Sequence, residues 1–129
     1  MIVLDTHAWL WWAAEPAKLS RPAQDAIDHA ERIGVATISC WEVAMLAEAA
    51  RIELDRPAGA WIEQALADAR TQSLPLTGTI AVRAALLGRE GFEGDPADRI
   101  IYATARSAGA RLVTRDRSLR TFDARGTIW

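Results

Sequence analysis

A chain of 129 residues, half of them hydrophobic and with a net charge of −2, is expected to form one packed domain over residues 1–129 rather than a disordered segment. Its one cysteine, Cys40, excludes an internal disulfide and any Cys/His zinc spacing, which is typical of a protein of the reducing cytoplasm. No basic leader is visible, and the apolar run from Ala8 to Ala14 is too short to cross a bilayer, so we expect no membrane partner.

The first half of the chain alternates between short apolar runs and helical patterns. MIVL at residues 1–4 predicts a strand, and residues 6–14 predict a helix crowded with tryptophan. Ser20 as N-cap, with Pro22 in the first turn, predicts a helix through about residue 32 that ends at Gly34. VATI then predicts a second strand, and Ser39 is expected to cap a helix over residues 39–50.

The second half continues the alternation. Residues 58–70 predict a helix, SLPL a short strand, and residues 79–87 another helix. Asp95 as N-cap, followed by Pro96, predicts a helix through about residue 109; RLVT predicts a strand, SLRTF a short helix and GTIW an edge strand. This pattern indicates an α/β fold: a single three-layer domain with a mostly parallel sheet of four to five strands flanked by helices.

Four acids stand where the predicted strands end or the helices begin. Asp5 follows the first strand, Glu42 and Asp98 lie near helix starts, and Asp116 follows RLVT. In a parallel sheet, strand C-termini and helix N-termini share one edge, so these carboxylates are expected to converge there. Clustered carboxylates repel one another unless cations neutralise them. The pattern therefore predicts a divalent-metal site, which suggests phosphodiester hydrolysis.

Each acid also has a purely structural interpretation. Asp5 is suited to cap the helix that follows it, and Ser39 with Glu42 matches the S-x-x-E capping box. Asp116 suits an Asx-type turn. Each of these interpretations is plausible alone, but the coincidence of four acids at one edge favours the metal site.

The segment DPADR places two acids and an arginine at one helix start. Either acid can complement the helix dipole, and we assign Asp98 as a metal ligand and Asp95 as a cap or outer-shell residue. Arg99 is suited to contact a substrate phosphate, and equally suited to pair with Asp95 or Glu93.

The charge is unevenly distributed along the chain. Setting the four acids aside as metal ligands turns the net charge of −2 into +2. From residue 99 to residue 125 there are seven arginines and only two acids. A local patch of this kind suits a phosphate backbone, with Arg99 and Arg115 as candidate substrate-binding residues, although a solvated basic face is the simpler interpretation of any single arginine.

Two other small α/β enzyme classes fit the sequence poorly. A phosphoacceptor receiver domain needs adjacent acids after the first strand and a late lysine, whereas Asp5 is followed by Thr6 and the only lysine is Lys18. A haloacid-dehalogenase-like phosphatase needs D-x-D, and the third position here is His7. A catalytically silent RNA- or protein-binding module on the same fold remains the alternative.

Several segments resemble those of the PIN-domain ribonucleases, and most nearly the VapC-type toxins of bacterial toxin–antitoxin pairs. They are MIVLDTHAWLWW, ISCWEVAML, DPADRIIYATARSAGARLVTRD and the short C-terminal strand, and the resemblance spans essentially the whole chain. It implies a Mg²⁺- or Mn²⁺-dependent endoribonuclease that cleaves single-stranded or loop RNA, commonly tRNA or rRNA, and so blocks translation. It also implies a cytoplasmic homodimer held by a cognate antitoxin.

The resemblance also implies a set of site residues. The family's acids carry over to Asp5, Glu42, Asp98 and Asp116, and its neighbouring hydroxyl positions match Thr6, Ser39 and Thr114. Our hypothesis is that three aspartates hold the main ion, while Glu42 binds it through water or helps to hold a second ion.

Six tryptophans in so short a chain are unusual. Aromatic side chains pack in cores, stack on unpaired bases and are enriched at protein interfaces. We predict that some of Trp9, Trp11, Trp12 and Trp41 line a dimer or antitoxin groove. For His7, so close to Asp5, we favour a structural or outer-shell role.

Overall fold

The computed structural model describes all 129 residues and confirms the predicted α/β fold. The strands are β1 Ile2–Leu4, β2 Ile33–Ala36, β3 Thr71–Leu74, β4 Arg111–Val113 and β5 Thr127–Ile128. The helices are α1 Thr6–Ala14, α2 Arg21–His29, α3 Thr37–Glu48, α4 Ala58–Leu66, α5 Gly78–Leu86, α6 Pro96–Ser107 and α7 Arg117–Phe122. Short 3₁₀ turns cover Pro16–Lys18 and Leu87–Glu90.

All five strands pair in parallel in the order β3-β2-β1-β4-β5. The first strand of the chain is therefore the centre of the sheet, and β5 is an edge strand as predicted. Because the strands are parallel, every strand C-terminus lies at one edge of the sheet. The opposite edge carries the strand N-termini.

Helices cover both faces of the sheet, giving three layers. Successive residues of a strand point to opposite faces, so Leu4 packs with Trp9 and Ile27 in one core while Val3 packs with Ile101 in the other. Burial on both faces explains why β1 is a continuous apolar run rather than an alternating one. None of the helices has the length and apolar character needed to span a membrane.

The predicted end of α2 at Gly34 is wrong. The helix stops at His29, and Gly34 lies inside β2, where a Cβ atom would come 2.6 Å from Leu74 Cδ1. The end of α2 is instead held by Arg70, whose guanidinium donates to the carbonyls of Ile27 and Ala30 at 2.8 and 3.2 Å. A partner forty residues away leaves no local signal.

The predicted start of α3 at Ser39 is also wrong. The helix begins at Thr37, and its N-cap position is Ala36, which has no capping side chain. Ser39 therefore lies inside the first turn and is completely buried. The capping-box interpretation of Ser39 and Glu42 fails for this reason, which leaves the Glu42 side chain available for another contact.

Candidate acidic site at the C-terminal edge of the sheet

The four predicted acids lie at the edge formed by the strand C-termini. Asp5 directly follows β1 at the centre of the sheet, and Asp116 lies three residues beyond the end of the neighbouring β4. Glu42 is in α3, the helix that follows β2, and Asp98 is in the first turn of α6. The arrangement brings together residues that are more than a hundred positions apart in the sequence.

Asp5 combines a structural and a site position. Its Oδ1 accepts a hydrogen bond from the Thr6 N–H at 2.8 Å, which caps α1, and its Oδ2 accepts one from Thr114 Oγ1 at 2.7 Å. Burial raises the pKa of the Asp5 carboxyl, while the bond from Thr114 and the nearby His7 oppose that rise. The capping interpretation of Asp5 is thus correct and does not exclude a functional one.

Glu42 is held by a threonine at the start of α1. Thr6 Oγ1 donates to Glu42 Oε1 at 2.6 Å and lies 3.0 Å from Ser39 Oγ. Thr6 and Ser39 are buried, so their hydroxyls have fixed positions. Burial raises the pKa of Glu42, the Thr6 bond lowers it, and the nearby Asp5 raises it further.

Asp116 is the N-cap of α7, where its Oδ1 accepts a hydrogen bond from the Leu119 N–H at 2.8 Å. Its own N–H donates to Thr114 Oγ1 at 3.0 Å. The same hydroxyl donates to Asp5, so buried Thr114 links Asp5, which follows β1, to Asp116, which follows β4. Thr6 and Thr114, both predicted beside the site, therefore each contact a site carboxylate directly.

Asp98 differs from the other three acids because its carboxyl group accepts no hydrogen bond within the protein. Burial raises the pKa of its carboxyl to about 7, and the charges of Asp5, Glu42, Asp116 and Asp95 add to that rise. Asp95 occupies the N-cap position of α6, but its side chain makes no capping hydrogen bond. Asp98 therefore lies close enough to the other three predicted acids and to Asp95 for their charges to act on it.

No arginine or lysine forms an ion pair with this cluster, although the nearby His7 lowers the pKa of Asp5 and of Glu42. The five ion pairs of the structure involve none of the four acids, and carboxylate oxygens are the donors that hard divalent cations prefer. No three acidic, histidine or cysteine side chains stand close enough to hold one ion together in this conformation. The donor chemistry and charge therefore fit Mg²⁺ or Mn²⁺, while tight binding requires the carboxylates to draw together.

Three arginines of the C-terminal part have different contacts. Arg99 pairs with neither Asp95 nor Glu93, because its Nε donates to the Gly94 carbonyl at 2.8 Å. Arg111 donates to the carbonyls of Arg125 and Thr127 and so ties β4 to β5. Arg115 lies exposed at the acidic edge, with its guanidinium over the ring of Trp11.

The tryptophans divide between core and surface. Trp9 is fully buried against Trp61, so it is not a surface residue. Trp41 is 55% exposed, and Trp12 lines a surface cavity of about 690 Å³ between α1 and α4, away from the acids. The packing of Trp129 beside Trp11 was not anticipated, because the sequence does not show that the end of β5 lies next to α1.

Comparison with known proteins places the chain among relatives with this architecture. The model of the PIN domain family matches residues 2–125. Ribonuclease VapC22 of Mycobacterium tuberculosis is 48% identical over 120 residues, which cover 93% of this chain and 90% of that protein.

Two solved structures share the fold. A toxin–antitoxin complex from Klebsiella pneumoniae contains a chain with a TM-score of 0.67 at 20% identity, covering 100% of this chain and 97% of that one. The structure of VapBC2 from Rickettsia felis bound to a DNA fragment from its promoter contains a chain with a TM-score of 0.68 at 13% identity, with both chains fully covered.

Proposed function

The chain belongs to the PIN-domain family and is a homologue of a VapC ribonuclease, and from this relationship we propose that it is a metal-dependent endoribonuclease and the toxin of a toxin–antitoxin pair. Its reaction is hydrolysis of phosphodiester bonds in RNA. tRNA and rRNA are the substrates we propose, since cleaving either one blocks translation.

The observation that supports this proposal is the cluster of Asp5, Glu42, Asp98 and Asp116 at one edge of the sheet, with no ion pair to any of the four. A fold gains no stability from leaving like charges together, so such a cluster indicates a site built for a bound cation. The raised pKa of Asp98, to about 7, is the electrostatic sign of the same crowding.

In our assignment Asp5, Asp98 and Asp116 hold the main Mg²⁺ or Mn²⁺ ion, and Glu42 contacts it through water or helps to hold a second ion. When bound, the ion would supply an activated water nucleophile and neutralise the attacked phosphate. The chain's own contribution is orientation. Thr114 fixes Asp5 against the backbone of Asp116, and Thr6 fixes Glu42, so two ligands keep their directions before an ion arrives.

The partners follow from the same relationship. We propose a cognate antitoxin protein and a homodimer, in the cytoplasm where the RNA substrates are. The free thiol of Cys40 is compatible with that compartment. Exposed Trp41 and the cavity beside Trp12 are the tryptophan-lined surfaces that such a partner protein would contact.

The test is RNA cleavage by the purified protein in Mg²⁺, Mn²⁺ or EDTA, with Asp98→Asn as the site variant. Asp28→Asn is the matched control, because Asp28 is an exposed aspartate of α2 with no hydrogen bond or ion pair. We expect cutting that needs the metal, is lost in Asp98→Asn and is unchanged in Asp28→Asn.

Metal binding measured by calorimetry separates the remaining outcomes. Cleavage that persists in EDTA or in Asp98→Asn would contradict the assignment. A protein that neither binds Mg²⁺ nor cuts total tRNA and rRNA is better described as a catalytically silent RNA- or protein-binding module.

A further inference from the structure

Three aromatic rings and an arginine meet beside the acidic site. His7, one turn before Trp11 on α1, packs against it with ring centroids 5.7 Å apart, and Trp129 packs against it at 5.8 Å. The Arg115 guanidinium carbon lies 5.8 Å from the centroid of the Trp11 ring. We name these four residues the Trp11 platform.

The chain itself fixes the platform next to the acids. His7 follows Asp5 by two residues, and Arg115 lies between Thr114 and Asp116. Trp129 directly follows β5, which pairs with β4 and so ends at the same edge of the sheet. A ligand on the platform therefore lies beside the carboxylates and not on a separate face.

The platform is open to solvent. His7 and Arg115 are exposed, and Trp11 and Trp129 are only half-buried, whereas the Trp9–Trp61 pair forms part of the core. Trp11 and Trp129 pack against the core with part of their surface, and the rest of each ring faces solvent beside two exposed side chains.

The neighbouring tryptophan gives an internal comparison. Trp12 also lies under an arginine, with Arg70 at 5.7 Å from its ring, but the Arg70 guanidinium holds the end of α2 through two carbonyls. The Arg115 guanidinium has no hydrogen bond or ion pair within the protein. Arg70 is thus committed to the fold, while the five N–H groups of Arg115 are available to an anion.

We propose that the Trp11 platform binds one unpaired nucleotide of an RNA strand, with the base stacked on its aromatic rings and a phosphate at Arg115. Single-stranded nucleic acids are recognised through base–aromatic stacking combined with arginine contacts to the backbone. A base inside a duplex has no free face for such stacking, which agrees with the single-stranded or loop RNA that the family resemblance implies. This inference rests on the proposed function, and it adds the residues that would hold one nucleotide beside the same site.

The experiment measures binding without cleavage. A fluorescein-labelled 12-nucleotide RNA of CA repeats, which does not pair with itself, is titrated with the full chain in EDTA, and fluorescence anisotropy gives Kd. Trp11→Leu should weaken binding at least about fivefold, whereas Trp11→Phe should retain most of it. Trp12→Leu, the matched control, should bind as the unchanged protein does.

Arg115→Gln tests the phosphate contact separately, at an exposed position where the fold is not at risk. Losing one phosphate contact on a single strand should reduce the slope of log Kd against log salt by about 0.7. Equal binding by Trp11→Leu and Trp12→Leu, or an unchanged salt slope in Arg115→Gln, overturns the proposal. So does failure of the unchanged protein to bind the RNA, which would leave the platform as a surface for a partner protein.

The two proposals can fail independently. If the protein cleaves RNA in a metal-dependent way but Trp11→Leu binds RNA normally, the proposed nuclease function stands and the proposed role of the Trp11 platform is wrong. If RNA binding depends on Trp11 but the protein cleaves no RNA, the role of the Trp11 platform stands and the proposed nuclease function is wrong.

Discussion

At the C-terminal edge of the sheet, Asp98 has no protein cation or hydrogen bond to stabilise its charge, and its pKa rises to about 7. At the N-terminal edge, Asp123 accepts hydrogen bonds from Tyr102 Oη and the Gly126 N–H at 2.8 and 2.9 Å and lies 3.6 Å from Arg106. Burial acts to raise the pKa of Asp123, but these partners hold it below its usual value.

This difference in partners shows that the Asp123 carboxylate stabilises the fold, whereas the Asp98 carboxylate does not. The turn at Asp123 requires a glycine at position 126, because a Cβ atom there would collide with the carboxylate. That end of the sheet is complete without any ligand. At the other end, the Asp98 carboxylate has neither a hydrogen bond nor an ion pair within the protein, which is the property that a cation site requires.

The largest effect is expected from Asp5→Asn. We expect the rate of RNA cleavage to fall by at least about 100-fold, since changes merely outside a ligand shell already cost 10–100-fold. The fold should persist, because asparagine can still cap α1 and hydrogen-bond with Thr114. Cleavage rates and circular dichroism measured together check both statements, and a fully active Asp5→Asn protein would remove Asp5 from the site.

Two buried threonines allow the two ends of the sheet to be compared through residues that contact the carboxylate or its backbone rather than through the acids themselves. Thr114 donates to the Asp5 carboxylate, whereas Thr127 donates to the backbone carbonyl of Asp123. Thr114→Val should slow cleavage about 10- to 100-fold. Thr127→Val should cost about 1 kcal/mol of unfolding free energy and leave cleavage unchanged. Equal loss of activity in both variants would mean that the Thr114 effect is only a loss of stability.

Asp123→Ala examines the paired end directly. It removes the partner of the Tyr102 hydroxyl and the Gly126 N–H, so we expect the unfolding free energy to fall by about 1–3 kcal/mol. Cleavage measured well below the melting temperature should be unaffected. A variant as stable as the unchanged protein would show that this cluster contributes nothing to the fold.

The sequence is sufficient to predict the sheet and the gathering of the acids. Strand runs such as MIVL and RLVT are short and apolar, and the acids directly after them go to one edge in any parallel arrangement. The hydroxyl positions beside the acids came from the family resemblance, and in the structure Thr6 and Thr114 each donate a hydrogen bond to one of the four acids.

The misplaced boundaries depend on contacts between distant residues. Arg70 ends α2 from forty residues away, and Gly34 is required by the Leu74 side chain of a neighbouring strand. The capping box at Ser39 was a plausible local pattern, but β2 gives way to α3 two residues earlier. The Trp11–Trp129 contact likewise depends on the strand order, which no local pattern encodes.

The smallest expected effect is the pH dependence of stability, which has opposite signs for Asp98 and Asp123 at the two ends of the sheet. The pKa of Asp98 rises from 3.8 to about 7 on folding, so its stabilising contribution is complete below about pH 4 and is lost as the pH rises through 7. Asparagine imitates the neutral carboxyl group. In EDTA, Asp98→Asn should therefore match the unchanged protein near pH 4 and be more stable at pH 8.

A shift of this size corresponds to about 4 kcal/mol in a fully buried group, but Asp98 is partly exposed and water screens the repulsion, so we expect about 1–2 kcal/mol.

For Asp123, whose pKa is lowered, the contribution is present above the unfolded pKa and disappears as the pH falls. Asp123→Asn should accordingly be less stable at pH 8, with a deficit that shrinks in acid. Urea denaturation of the three proteins at pH 4, 6 and 8 measures both differences. If the Asp98→Asn gain were the same at every pH, its carboxyl group would not be crowded by the other acids, and the contrast between the two ends would lose its electrostatic basis.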